Sequence, residues 1–147
     1  MSLTTGIGIL FTLLLLIASI YDVKTRQIPN RLPLAIGILG LFQSAPLPAF
    51  LGLLMTGLPY FLAAVCSGGK IGGGDIKLMS ACGMVLGPVY GTLQSILGLM
   101  LVLLFALVFG LRHGFQATKH TALPLAPFLS AGGALTYLGS ALFHVAI

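Results

Sequence analysis

Ile7-Gly8-Ile9-Leu10-Phe11, followed at once by Leu13-Leu14-Leu15-Leu16-Ile17, is the heart of a nearly unbroken apolar run over residues 3 to 21. A helix of about 20 such residues spans the roughly 30 Å hydrocarbon core of a bilayer, so this run reads as a membrane-crossing helix. A cleaved signal peptide is the rival reading. Met1-Ser2-Leu3-Thr4-Thr5 puts no lysine or arginine ahead of the apolar core, and no small-x-small cleavage site follows it, so a retained first helix is expected.

The composition of the whole chain agrees. With 58% hydrophobic and 6% charged residues over 147 positions, and a mean hydropathy of +1.12, the chain lacks the polar surface that a soluble domain of this length requires. Working outward from the first run, further apolar segments cover residues 32 to 42, 49 to 65, 75 to 86, 91 to 111 and 125 to 147. The second is short for a span and is followed by a turn marked by Pro46 and Pro48. Gly87-Pro88 separates the fourth from the fifth, and Pro124 and Pro127 lie near the start of the sixth, where proline costs least. The expected fold is all-α: one integral-membrane domain over 1 to 147, a polytopic bundle of about six transmembrane helices.

The basic residues orient that bundle. With the N-terminus outside, the inner loops are 22 to 31, 67 to 77 and 112 to 121. They hold Lys24, Arg26 and Arg31, then Lys70 and Lys77, then Arg112 and Lys119, which is every one of the seven basic residues. The opposite orientation places all seven outside, against the positive-inside rule. Both termini are therefore expected outside. The net charge of +5 is spread over several short loops and forms no basic patch for nucleic acid. Cys66 and Cys82 lie in apolar stretches without CxxC spacing, and His113, His120 and His144 are dispersed, so neither a metal site nor a cofactor is expected.

Against this background the stretch Gly72-Gly73-Gly74-Asp75-Ile76-Lys77 stands out, because the chain contains only two acidic residues, Asp22 and Asp75. Most of the 20 glycines are read as helix-packing positions. Three in a row before a carboxylate differ: they allow a sharp turn or close passage beside an extended peptide. Asp75 has an ordinary explanation as the N-cap of the fourth helix. Asp22 has none of that kind, since a negative charge at the C-terminal end of a helix opposes the dipole; an ion pair with Lys24 or Arg26 is its bland alternative. The charge arithmetic places both at the cytoplasmic ends of their helices. An ionisable group in the hydrocarbon costs roughly 2.5 to 3.5 kcal/mol at the bilayer centre and less toward the interface, which makes it a functional candidate. Two carboxylates brought close share one proton. The charged one can then take a proton from water while the other donates to a peptide carbonyl oxygen, which is aspartic-protease chemistry.

Asp22 followed by Lys24, Arg26 and Ile28-Pro29-Asn30, then Gly72-x-Gly74-Asp75-x-Lys77-Leu78, then Pro124-Leu125-Ala126-Pro127-Phe128, resembles the prepilin peptidases, the type IV leader peptidase family of GxGD membrane aspartic proteases. The resemblance implies that Asp22 and Asp75 are the catalytic pair, with no metal and no cofactor. It implies a pilin-like precursor as substrate, cut where its short basic leader meets its apolar helix, at the cytoplasmic face of a prokaryotic inner membrane. Gly72, Gly73, Gly74, Lys77, Pro29 and Asn30 are the supporting positions. Pro29 and Asn30 are expected to shape the turn into the second helix, with asparagine as its cap. Lys77 is read either as biasing the ionisation of the pair or as marking the inner membrane boundary. Larger members carry a cysteine-containing cytoplasmic segment and also methylate the new N-terminus; the loop after the first helix here is short and has no cysteine, which implies a minimal, peptidase-only form. The alternatives are a presenilin-like protease, against which the Asp22 to Asn30 block argues, and, from other classes, a small proton-coupled transporter or a catalytically silent assembly subunit.

Overall fold

The structure is a computed structural model that describes residues 3–69, 71–113 and 124–142. Lys70, residues 114–123 with Lys119 and His120, and residues 143–147 with His144 lie outside the described residues. Five helices account for nearly all of the described chain: α1 (Leu3–Thr25), α2 (Arg31–Gln43), α3 (Pro46–Cys66), α4 (Gly73–His113) and α5 (Ala126–Leu142), with no strand among the described residues. Among the described residues three segments are long and apolar enough to cross a membrane, Gly6–Thr25, Pro46–Cys66 and Gly73–Arg112.

Helix boundaries follow local chemistry. α1 continues one turn past the apolar run, so Asp22 sits inside the helix and not in the following loop. Arg26 ends it in the left-handed conformation (φ 55°), with its N–H on the Asp22 carbonyl at 2.9 Å. Pro46 and Pro48 begin α3 instead of marking a longer turn, because the first helical turn has no use for their missing N–H groups.

α4 is continuous only in its hydrogen-bonding pattern. Gly87 adopts φ 72°, ψ 180°, a conformation essentially closed to other residues, and Pro88 follows it. The two limbs, 73–86 and 88–113, fold back against each other. A Cβ built on Gly91 would lie 3.2 Å from the Gly83 Cα, and Gln94 Nε2 is 3.9 Å from Met79 Sδ. In a straight helix residues eight apart are about 12 Å distant. The Gly87-Pro88 break expected between the fourth and fifth apolar segments is thus a hairpin.

That hairpin is the centre of the bundle, packed on α2, α3 and α5. Small residues permit the approach. A Cβ at Gly83 would collide with the Thr56 hydroxyl and the Gly52 carbonyl, and one at Gly98 would lie 2.7 Å from Leu129 Cδ2. Side-chain hydrogen bonds between helices reinforce it: Thr56 Oγ1 donates to the Met79 carbonyl at 2.8 Å and Gln94 Nε2 to the Leu129 carbonyl at 3.1 Å. α1 and α5 run antiparallel. Ser130 Oγ donates to the Leu15 carbonyl at 3.1 Å, and Gly8 faces the Tyr137 ring. Phe11, Leu15, Ile36, Leu78, Val85 and Leu86 fill the interior. The outer surface is apolar, with Phe42 74% and Val89 73% exposed, as suits a bundle whose surroundings are acyl chains. The chain is an integral membrane protein.

One consequence positions the site. The C-terminal end of α1 and the N-terminal ends of α2, α4 and α5 all lie at the same end of the bundle, as contacts between Asp22 and Ala126, Lys77 and Asn30, and Gly74 and Ile28 require.

Candidate active site

Asp22 is only 7% exposed, in the last turn of α1. Its Oδ2 accepts the backbone N–H of Ala126 at 3.0 Å. Ala126 is the first residue of α5, so the free amide end of one helix meets a carboxylate at the unfavourable end of another. Lys24 and Arg26, the ion-pair partners of the alternative reading, are exposed, and the carboxylate is held by a backbone donor. The charge that α1 disfavours is compensated by α5.

Asp75 is half-buried. α4 begins at Gly73, two residues earlier than expected, which places Asp75 within the first turn and not at the cap. Its N–H donates to the Gly72 carbonyl at 3.1 Å, while its Oδ1 is buried with no hydrogen-bond partner. A capping aspartate would have its oxygens on free amides. A buried carboxylate oxygen without a hydrogen-bond partner is costly, and Asp75 gains none of the stabilisation a cap would have.

The glycine run divides into different roles. Gly73 and Gly74 are helical and Gly72 precedes them; the left-handed glycines are Gly68 and Gly69 (φ 67° and 81°), upstream of the run. Of the two uses open to Gly72 to Gly74, a sharp turn or close passage beside a peptide, the turn is made earlier, in the exit from α3. What the run supplies is space. A Cβ on Gly72 would stand 3.2 Å from Asp75 Oδ2, and one on Gly74 would stand 3.1 Å from Ile28 Cβ; Gly73 has nothing within 4 Å.

Asn30 occupies the N-cap position of α2 but makes no capping bond through its side chain, contrary to the role expected of it. Its Oδ1 instead accepts from Lys77 Nζ at 2.9 Å. In the turn into α2 the Pro29 carbonyl accepts the Leu32 N–H at 3.0 Å. Lys77 therefore faces the α1–α2 connection, since side chains two apart on a helix do not share a face.

The structure thus brings together Asp22, Asp75, Gly72, Gly74, Lys77, Pro29 and Asn30 at one end of the bundle. Two participants carried no assigned role in the sequence. Ala126 acts through its backbone, and the only sign of it was the Pro-Leu-Ala-Pro block itself; Ile28 packs on Gly74, and its sign was its place before Pro29-Asn30. Chemically, the site offers one carboxylate fixed by an amide and a second with a free oxygen.

Comparison with known proteins follows the same lines. A family model described as the type IV leader peptidase family matches residues 9–115. A prepilin leader peptidase/N-methyltransferase of Bacillus subtilis (strain 168) is 32% identical over 142 residues, covering 89% of this chain and 54% of that protein. The chain spans about half the length of that curated relative. No solved structure matches it.

Proposed function

The chain belongs to the type IV leader peptidase family, and from that premise we propose that it is a membrane aspartic endopeptidase removing the short basic leader of pilin-like precursors, with Asp22 and Asp75 as its catalytic pair. The observation that carries the reading is the meeting of the chain's only two acidic residues at one end of the bundle, one held by the Ala126 amide and the other with an unpartnered buried oxygen.

The chemistry follows from the arrangement. Asp22 is oriented by its backbone donor, and Asp75 Oδ1 is committed to no protein donor, so this carboxylate can take up the attacking water once the site opens to substrate. One carboxylate of the pair takes a proton from that water as its oxygen bonds to the peptide carbonyl carbon. The other gives its proton to the carbonyl oxygen, and collapse of the tetrahedral species breaks the C–N bond with a proton passing to the leaving amine. The glycines at 72 and 74 keep the approach to Asp75 narrow in side chains and open to an extended peptide.

The six-span topology, with both termini outside, belongs to the same proposal. It sets the carboxylates at the cytoplasmic face of a prokaryotic inner membrane, level with the junction between a basic leader and an apolar helix. The connection between α1 and α2, residues 26–30, holds no cysteine-containing segment, and we assign the chain peptidase activity without assigning it methyltransferase activity. The relative from Bacillus subtilis carries N-methyltransferase in its name, so this point needs its own assay: incubation with S-adenosylmethionine and cleaved pilin should leave the new N-terminus unmethylated.

The deciding experiment is precursor cleavage by Asp22→Asn and Asp75→Asn in proteoliposomes. Each substitution keeps size and removes the ionisable oxygen, and each is expected to abolish cleavage while the protein remains inserted and folded. Substantial cleavage by either variant sinks the pair.

A further inference from the structure

The α1–α2 connection and the first turns of α4 are 47 positions apart where Lys77 meets Asn30, yet they touch twice. Lys77 Nζ donates to Asn30 Oδ1 at 2.9 Å, and nearly one turn earlier on α4 Gly74 lies against Ile28. Both Lys77 and Asn30 are exposed, so water could satisfy each alone and burial does not force the bond. Forming it orders a long lysine side chain, which costs rotamer entropy. It also takes Asn30 away from capping its own helix, the use to which an asparagine at that position is ordinarily put. A bond made at those two costs at an exposed position is better explained by what it connects than by the stability it adds.

What it connects are the backbones that carry the two aspartates. Asn30 is the last residue of the five-residue connection that follows α1, whose last turn holds Asp22; Lys77 lies two residues after Asp75 on α4. We propose that Lys77 and Asn30 form a latch that holds the α1–α2 connection against the start of α4 and so sets the spacing of Asp22 and Asp75. Both are positioning residues: neither touches the reacting atoms. Lys77 acts through its hydrogen bond to Asn30 and not through its charge on the carboxylates.

The kinetic arm of the test rests on the peptidase reading; the structural arm does not. In precursor cleavage, Lys77→Met and Asn30→Leu are each expected to lower kcat about tenfold with KM within about twofold, as follows from a small misplacement of a catalytic pair. The double variant K77M/N30L should be no slower than the slower single one, because both remove the same bond. Asn30→Asp, which keeps an acceptor for Lys77, should recover the rate to within about threefold of the unsubstituted enzyme. The pH–rate profile should keep its position in both single variants. A profile displaced by Lys77→Met and not by Asn30→Leu would mean that Lys77 works by charge and would overturn the latch, as would losses that multiply in the double variant.

Hydrogen exchange supplies the arm that needs no substrate. Backbone amides of residues 26–32 should exchange about tenfold faster in K77M and in N30L than in the unsubstituted protein, with N30D restoring protection. If that pattern appears while no pilin-like precursor is cleaved, the latch stands and the peptidase reading falls. If cleavage is robust but neither variant changes exchange or rate, the latch falls and the peptidase reading stands.

Discussion

Ala126, at the start of α5, donates its backbone N–H to the carboxylate of Asp22, 104 positions earlier in the chain and in the last turn of α1, at 3.0 Å. The bond resolves the oddity of a buried carboxylate at the wrong end of a helix dipole, because the positive end of a second helix is brought to it. A charge-assisted hydrogen bond of this kind is worth about 1.5 to 3 kcal/mol. Ala126→Pro removes the donor while leaving a residue that suits the first position of a helix. The expected outcome is a loss of about ten- to a hundredfold in precursor cleavage with the bundle still folded. Ala126→Ser, which keeps the N–H, should lose far less. Equal rates for the two variants would remove the amide from the site.

The space beside Asp75 makes a second prediction. A methyl group at Gly72 would stand 3.2 Å from Asp75 Oδ2, close enough to turn the carboxylate or to displace a water bound to it. Gly72→Ala is expected to lower kcat by about tenfold, in line with a small misplacement of a reacting group, with a small effect on thermal stability. Gly73→Ala, where nothing lies within 4 Å, should show the smaller kinetic effect of the two. Steady-state cleavage of one precursor by both variants decides the matter.

The hairpin of α4 separates backbone strain from packing. Gly87 has φ 72° and open space around its missing Cβ, so Gly87→Ala is expected to destabilise by about 1 to 3 kcal/mol through conformation alone. At Gly83 the backbone is helical but the Thr56 hydroxyl and the Gly52 carbonyl occupy the place of a side chain. Gly83→Val should therefore cost about 1 to 3 kcal/mol or more by overpacking. Thermal unfolding in detergent measures both. A second-site change of Thr56→Ala should relieve the Gly83 variant only in part, because the Gly52 carbonyl stays in place, and leave the Gly87 variant unaffected.

Topology can be read separately. In the six-span arrangement a reporter fused after Ile147 is external, and one inserted in the 112 to 121 loop is cytoplasmic. A cytoplasmic signal at the C-terminus would move the carboxylates to the other face of the membrane and remove the match between their level and the leader junction.

Solvent, helical class and the identity of the carboxylates were determined by the sequence alone. Apolar runs long enough to span, 58% hydrophobic composition and a total of two acidic residues are properties that no packing arrangement can change. Even the Gly87-Pro88 break was legible, because glycine and proline act on the backbone where they stand. The tertiary structure decided the rest: that α5 compensates Asp22, that Asp75 lies within its helix with a free oxygen instead of capping it, and that Asn30 serves Lys77 in place of its own helix. Each of these depends on which groups of distant helices end at the same height. Lys77 and Asn30 each have a sufficient local use, as a boundary charge and as a cap, and only their contact shows which use the fold has made of them. The physical reason is that a span is specified by hydrophobicity summed along the chain, whereas a hydrogen bond is specified by positions to within about half an ångström, and those are set by how small residues let the helices approach.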